Sequence, residues 1–318
     1  MPKVAFLIPA DGSHAFLSQV AAFTTACRNL NWQEWEPEIL VCVGGSLDSN
    51  VIEFWRRDFP EVTFVLAPRS QSEKTPVFYA QIDGSFRWAP IDADVLVRMD
   101  ADTLPVGGFE DVLEYVAKIN AIAGVMAHLP FPVPPGMTAL QGWLSVADGL
   151  VTRPLDFRQS YSLVESTAMK ENTIAPFYVN DGAVFIPRPI FHEFANAYLD
   201  LRPKVIERLF EPYYAGQVAL ALAVTRIGAR SCALPMRYNF PNDERAIIRF
   251  PEELDNVKIF HYLRTHEFER KTIFSHEDRY QEFLHSTVSG VNKIFQEHVR
   301  RVIGPTLPFG QDCLGGPP

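Results

Sequence analysis

Asp94-Val95-Leu96-Val97-Arg98-Met99-Asp100-Ala101-Asp102, followed by Thr103-Leu104-Pro105-Val106-Gly107-Gly108, sets an acidic pair at the end of a short apolar run. The run is rich in β-branched and aliphatic residues, and the Gly/Pro segment after it ends the pattern. That reads as an interior strand opening into a loop. Alternate residues of a strand share a face, so Asp100 and Asp102 point the same way with Ala101 facing back. Two adjacent carboxylates repel unless a cation lies between them. A divalent metal with hard oxygen ligands fits, and such ions commonly accompany phosphates. The plain alternative is a turn, or a helix cap at Asp102. A second copy, Asp92-Ala93-Asp94 after Ala89-Pro90, reads as a solvated turn. Position separates the two, because only Asp100-Ala101-Asp102 stands at a strand's carboxyl end, where open α/β sheets bind ligands.

Upstream of this strand, the chain alternates. Strands are expected at 3–9, 38–43 and 62–67, with helical patterns at 15–30, 50–58 and 75–89. Repeated βα units imply a mostly parallel sheet with helices on both faces. The loops at the strand ends then bring Asp11, Asp48, Arg69, Lys74 and the Asp100/Asp102 pair to one edge, a candidate nucleotide site. Gly44-Gly45-Ser46 is not a P-loop, and no Gly-x-Gly-x-x-Gly follows the first strand. Phosphates would have to be held by the metal and by Arg or Lys. Lys74, just before a helical pattern, is placed for that, or is simply a solvated lysine.

The whole chain narrows the classes. Its 318 residues suit one large or two closely packed domains, and 47% hydrophobic, 21% charged and 12% aromatic residues are ordinary for a globular enzyme. A net charge of −9 argues against a non-specific nucleic-acid binder, which would need a basic face. No apolar run approaches the roughly 20 residues that span a bilayer. The apolar N-terminus is too short for a signal peptide and reads as the first strand. Cys27, Cys42, Cys232 and Cys313 lie far apart, with neither metal spacing nor a disulfide framework. A cytoplasmic location is expected, with peripheral membrane attachment left open.

The second half is less regular. Leu129-Pro130-Phe131-Pro132-Val133-Pro134-Pro135-Gly136 excludes helix and central strand and reads as a surface loop over a site, or else as a proline-rich ligand. A helix is expected at 140–150, a strand entered through a polar turn at 177–187, and helices at 190–201 and 214–227, the last with Gln217 near its start. His261 follows an apolar run at 257–263, where imidazole serves as a metal ligand or as a satisfied core residue. A charged amphipathic helix is expected at 277–302, before a Pro/Gly tail.

In this order the motifs resemble the GT-A glycosyltransferases, the nucleotide-diphospho-sugar transferase superfamily. The second half looks most like glycosyltransferase family 8 and its relatives. The Asp-X-Asp is matched by Asp100-Ala101-Asp102 and an acceptor-side Asn-X-Gly by Asn180-Asp181-Gly182. An Asp-Gln pair at a helix start keeps only Gln217 here, with Gly216 in place of Asp. Leu234-Pro235-Met236-Arg237-Tyr238-Asn239 matches a Leu-Pro-x-x-Tyr-Asn segment, and His261-Tyr262 a late His-Tyr/Phe. The Gly-Lys that often follows that histidine is missing; Leu263-Arg264-Thr265-His266 stands there instead.

The resemblance implies a GT-A-like α/β fold with a mostly parallel central sheet flanked by helices and a C-terminal helical extension. It also implies a division into a nucleotide-sugar half (1–104), an acceptor half (105–270) and a C-terminal helix with a flexible tail (271–318). The implied activity is metal-dependent transfer of a sugar from a UDP- or GDP-type nucleoside-diphosphate sugar to a saccharide or other hydroxyl acceptor. Mn²⁺ or Mg²⁺ would lie between Asp102 and His261, with Asp100 on the metal or the ribose. Asp11 and Asp48 would serve base and ribose, Arg69 or Lys74 and Arg264 or His266 the diphosphate, with Asn180 on the sugar side. Asp181 would orient or deprotonate the acceptor, and Gln217 would lie near the anomeric carbon. No acidic residue near Gln217 supplies the base of an inverting enzyme, which favours retention. Three alternatives stand beside this: a sugar-1-phosphate nucleotidyltransferase, for which Ala10-Asp11-Gly12-Ser13-His14 lacks the Gly-rich, Arg-containing loop; a non-catalytic nucleotide-sugar-binding protein; and a scaffold using the proline-rich segment.

Overall fold

The expected alternation takes shape as β1 (Lys3–Ala10), α1 (His14–Asn29), β2 (Glu36–Gly44), α2 (Ser49–Asp58) and β3 (Val62–Ala67). These come from a computed structural model that describes residues 1–67, 85–87, 91–164 and 170–309. The helix expected at 75–89, together with Arg69, Lys74 and Cys313, falls wholly or largely outside the described residues. β4 (Val95–Met99), β5 (Thr103–Pro105), α3 (Glu110–Ile119), β6 (Ala121–Met126) and α4 (Ala139–Ala147) follow, then a small hairpin of β7 (Gln159–Ser160) and β8 (Ile174–Ala175), joined through α5 (Lys170–Thr173). The remainder comprises β9 (Val179–Pro187), α6 (Arg188–Ile206), α7 (Ala215–Ile227), β10 (Arg230–Ala233), β11 (Phe240–Pro241), α8 (Glu244–Arg249), β12 (Ile259–His261), α9 (Glu277–His285) and α10 (Gly290–Val302).

The central sheet has seven strands in the order β10-β6-β9-β4-β1-β2-β3. Every pairing is parallel except those of β9, which runs antiparallel to both β4 and β6. The mostly parallel α/β sheet flanked by helices is therefore as expected. Side chains leave β1 alternately: Val4, Phe6, Ile8 and Ala10 enter one core, Ala5 and Leu7 the other. The first core lies under α1, α3, α9 and α10; the second lies under α4, α6 and α7. Burial on both sheet faces explains why these strands read as continuous apolar runs.

Two features of the topology place the site. Because β9 is antiparallel to β4, its first residues lie at β4's carboxyl end: Met99 pairs with Ala183, and the Asp100 N–H donates to the Gly182 carbonyl at 3.3 Å. The chain then turns into β5, which pairs antiparallel with β12, setting His261 opposite Thr103. The Tyr262 N–H donates to the Asp102 carbonyl at 3.1 Å and locks that register. Sheet order also reverses between β1 and β4, a switch point of the kind that binds ligands.

The single helix expected at 277–302 is instead two. α9 ends at His285, and Ser286 to Ser289 breaks the run before α10. The backbone N–H and hydroxyl of Ser289 both donate to Glu267, and Gly290 takes φ +48°, so this stretch is held out of helix. Both helices bury apolar residues against the first core. Phe295 stacks on Tyr262 at 5.1 Å and 20°, directly behind His261.

Candidate active site

Asp100, Asp102 and His261 converge, with one potential ligand atom from each lying within 4.8 Å of the others. His261 Nε2 stands 3.3 Å from Asp102 Oδ1 and 3.9 Å from Asp100 Oδ2. Two carboxylates and an imidazole form a hard-to-borderline donor set that suits Mn²⁺ or Mg²⁺. His261 Nδ1 has no hydrogen-bond partner among the described residues. Burial depresses the imidazole's pKa, but Asp102, its hydrogen bond and Asp100 outweigh that and raise it. Asp102 is raised by burial too, and lowered by more through His261 and Arg270. Arg270 forms an ion pair with Asp102 Oδ2, a contact the sequence did not announce.

The Asn-X-Gly and Leu-Pro-x-x-Tyr-Asn segments meet underneath His261. Asn180 Oδ1 accepts from the Gly182 N–H at 2.9 Å and from Asn239 Nδ2 at 2.8 Å. A Cβ on Gly182 would stand 2.6 Å from Asn239 Oδ1 and collide with the His261 ring. Glycine is needed there for close approach. Tyr238 is anchored by donating its hydroxyl to Asp111 at 2.7 Å. These motifs build the seat of the histidine.

On the other side of Asp100 lies a buried charge cluster. Arg98 is 2% exposed on β4, with Nη1 3.2 Å from Asp181 Oδ2 and Nη2 3.5 Å from Asp100 Oδ1. Burial raises Asp181 more than Arg98 lowers it, with Asp100 adding to the rise, and its carboxyl is pushed up to about 6. Asp181 Oδ1 is buried without a partner among the described residues, a state that costs about 1–3 kcal/mol until a ligand meets it. Gly216 has a physical reason in this neighbourhood: a Cβ there would stand 3.0 Å from Asp181 Oδ2. The Asp181 carboxylate crowds the position from which the expected acidic side chain would project.

The Asp100, Asp102 and His261 trio and the buried charge cluster beside it line one cavity of about 480 Å³. It holds Asp100, Asp102, Asn180, Asp181, Gln217, His261 and Arg264 of the expected set. Also there are Arg98, Arg202, Arg270 and Lys271, so cationic side chains outnumber the carboxylates before any metal is added. Arg264 is held by Asp243 at 3.1 Å. His266 is exposed and does not line the cavity. Asp11 and Asp48 do not line it either. Asp11 accepts from the Ser13 N–H in a tight turn, and Asp48 caps α2 by accepting from Asn50 N–H at 2.8 Å. Asp92 and Asp94 flank the strand's other end as surface groups, Asp94 accepting from the Lys3 N–H and Asp92 pairing with Arg188. Among the residues unforeseen, Arg98 had a signal in the sequence: it is the only charged residue within the β4 run.

No family model matches the sequence, and no curated protein matches it. Solved structures do match by shape. An active-site mutant of LgtC superposes with a TM-score of 0.52 at 13% identity, over 98% of each chain. Galactosyltransferase LgtC in complex with donor and acceptor sugar analogs gives 0.51 at 12%, over 94% of this chain and 95% of that one. The apo bifunctional glycosyltransferase WbbM gives 0.50 at 12%, over 96% of this chain and 50% of its own. At such identities the likeness is one of fold. With its seven-stranded sheet and helices on both faces, this chain has the GT-A fold of glycosyltransferases.

Proposed function

We propose that the protein is a metal-dependent glycosyltransferase, transferring a sugar with retention from a nucleoside diphosphate to a hydroxyl acceptor, as in family 8. The convergence of Asp100, Asp102 and His261 at a β4 terminus on the GT-A fold carries the reading. These three would hold Mn²⁺ or Mg²⁺, which when bound offsets negative charge on the departing diphosphate. Arg264, Arg270 and Lys271 line the same cavity and would share that charge. Arg270 exchanges its ion pair with Asp102 for the diphosphate. In the reaction, the bond from the anomeric carbon to the diphosphate oxygen breaks and one to the acceptor oxygen forms. The nucleoside diphosphate leaves, and Asp181 receives the hydroxyl proton. Gln217 lies in the cavity to contact the sugar near its anomeric carbon. Arg69 and Lys74 remain proposed diphosphate ligands. A cytoplasmic location is part of the same proposal; among the described residues no helix is long and apolar enough to cross a membrane.

The test is incubation of the protein with UDP- and GDP-hexoses, Mn²⁺ and a panel of methyl glycosides and simple alcohols as acceptors, following the products by NMR. Release of nucleoside diphosphate, with the sugar keeping its anomeric configuration in the product and loss of the reaction in Asp102→Asn, is the expected result. Nucleotide-sugar binding without release would make it a binding protein. Pyrophosphate release from a nucleoside triphosphate and a sugar 1-phosphate would make it a nucleotidyltransferase.

A further inference from the structure

Arg98 is the one charged residue of β4 and is 2% exposed. It pairs in register with Val184, yet its guanidinium reaches back along β9 to Asp181. Nη1 donates to the Asp181 carbonyl at 3.0 Å and lies 3.2 Å from carboxylate Oδ2, so main chain and side chain of one residue are gripped together. That grip sets the carboxylate against the start of α7. A Cβ on Gly216 would stand 3.0 Å from Asp181 Oδ2 and 3.5 Å from the Tyr198 hydroxyl. Gly216 lies within α7 and takes no positive φ, so its backbone does not call for glycine, and glycine there weakens the helix. What the position demands is room, and the Asp181 carboxylate takes it. Asp181 and Gln217 both line the cavity, and Asp181 Oδ1 is buried with no hydrogen-bond partner among the described residues.

The acid and amide expected side by side at 216 and 217 are thus assembled in space, the acid on β9 and the amide on α7. We propose that Asp181 supplies from β9 the carboxylate missing from the start of α7, that Gly216 makes room for it, and that Arg98 is the positioning residue that aims it. The assignment rests on the transferase reading above, in which Asp181 takes the acceptor proton. Only one of the two positions can carry the acid. Gly216→Asp in the wild type would put two carboxylates into one buried pocket, where Arg98 is already shared between Asp181 and Asp100. An acid on α7 would project from the helix itself, whereas the one on β9 needs Arg98 to hold it. If Asp181 and Arg98 merely neutralised each other within the fold, an acid restored to position 216 would compensate for nothing.

The experiment is a double-mutant cycle on the full chain, assayed with UDP- and GDP-hexoses, Mn²⁺ and the same panel of glycosides and alcohols. Calorimetry with UDP or GDP and Mn²⁺ reports nucleotide binding by each variant, and urea unfolding reports stability. Asp181→Ala should lower kcat about 100-fold with nucleotide affinity unchanged. Gly216→Asp alone should also lower kcat, yet added to Asp181→Ala it should recover about tenfold of the loss. Arg98→Leu should lower kcat about tenfold and move the acid limb of its pH profile upward, with Arg98→Lys restoring part of both. Gly216→Ala should raise the urea midpoint more in Asp181→Ala than in the wild type, which reads the crowding even where an acidic variant fails to fold. A folded double variant that binds nucleotide and stays as slow as Asp181→Ala overturns the proposal. So do equal midpoint shifts in the two backgrounds, or full activity in Asp181→Ala, although the transferase reading then stands. Absence of transfer and of nucleotide binding in the wild type removes both.

Discussion

Asp102 Oδ1, 3.3 Å from His261 Nε2, favours the protonated imidazole, and metal binding displaces that proton. The imidazole's pKa is lowered by burial and raised by more through Asp102 and Asp100. The sign of the linkage follows from that rise. The ion pair stabilises the metal-free fold fully below the ordinary value of 6.5 and is lost as pH climbs through the raised folded value. Melting of metal-free protein should therefore move to lower temperature on that climb, and His261→Gln should flatten the dependence. Metal binding runs the other way, because it expels the proton; Mn²⁺ affinity should rise up to about tenfold per pH unit until His261 deprotonates. Gly182→Ala should push His261 from its seat and weaken Mn²⁺ binding about 10–100-fold while circular dichroism stays native. Asp181, pushed up to about 6 chiefly by burial, should give turnover an acid limb in that range, rising with pH as the carboxylate ionises and vanishing in Asp181→Asn. Of these residues, Asp100, Asp102 and His261 were readable from type and position. Arg98 carried a signal, a lone charge within an apolar strand, whereas Arg270 left none, because a long-range contact leaves no periodic trace.

At the level of elements, β9 does the most to define the site. Its antiparallel entry sets Asn180 and Asp181 beside Asp100, a placement no parallel strand in that slot would give. The strand itself was legible from its apolar run, but its direction was not, since burial on both faces erases the alternation that would distinguish sheet types. The split of 277–302 into α9 and α10 escaped the sequence for a different reason. Amphipathic spacing continues through Ser286 to Ser289, and only the bonds from Ser289 to Glu267 show that the backbone turns away. α10 backs the histidine through Phe295, which touches Tyr262, Phe260, Phe268 and Phe283. Phe295→Ala should cost about 3–5 kcal/mol in urea unfolding and lower metal affinity as well, whereas an effect on stability alone would separate the extension from the site.

Across the whole molecule, one sheet draws its strands from both halves of the chain, and the cavity sits where their loops meet. Asp11 and Asp48 stand at the ends of β1 and β2 as expected, yet they cap and turn rather than reach the cavity. Strand-end position predicts proximity to an edge, not the side chain's aim. A bound nucleotide and metal should raise the melting temperature together by more than either alone, since both ligate only the folded chain. The most direct measurement is calorimetric titration of UDP and GDP into the protein with and without Mn²⁺, repeated on Asp102→Asn. The account predicts binding of one nucleotide that needs Mn²⁺ and is lost in the folded variant. Equal binding without metal, or in Asp102→Asn, would contradict it.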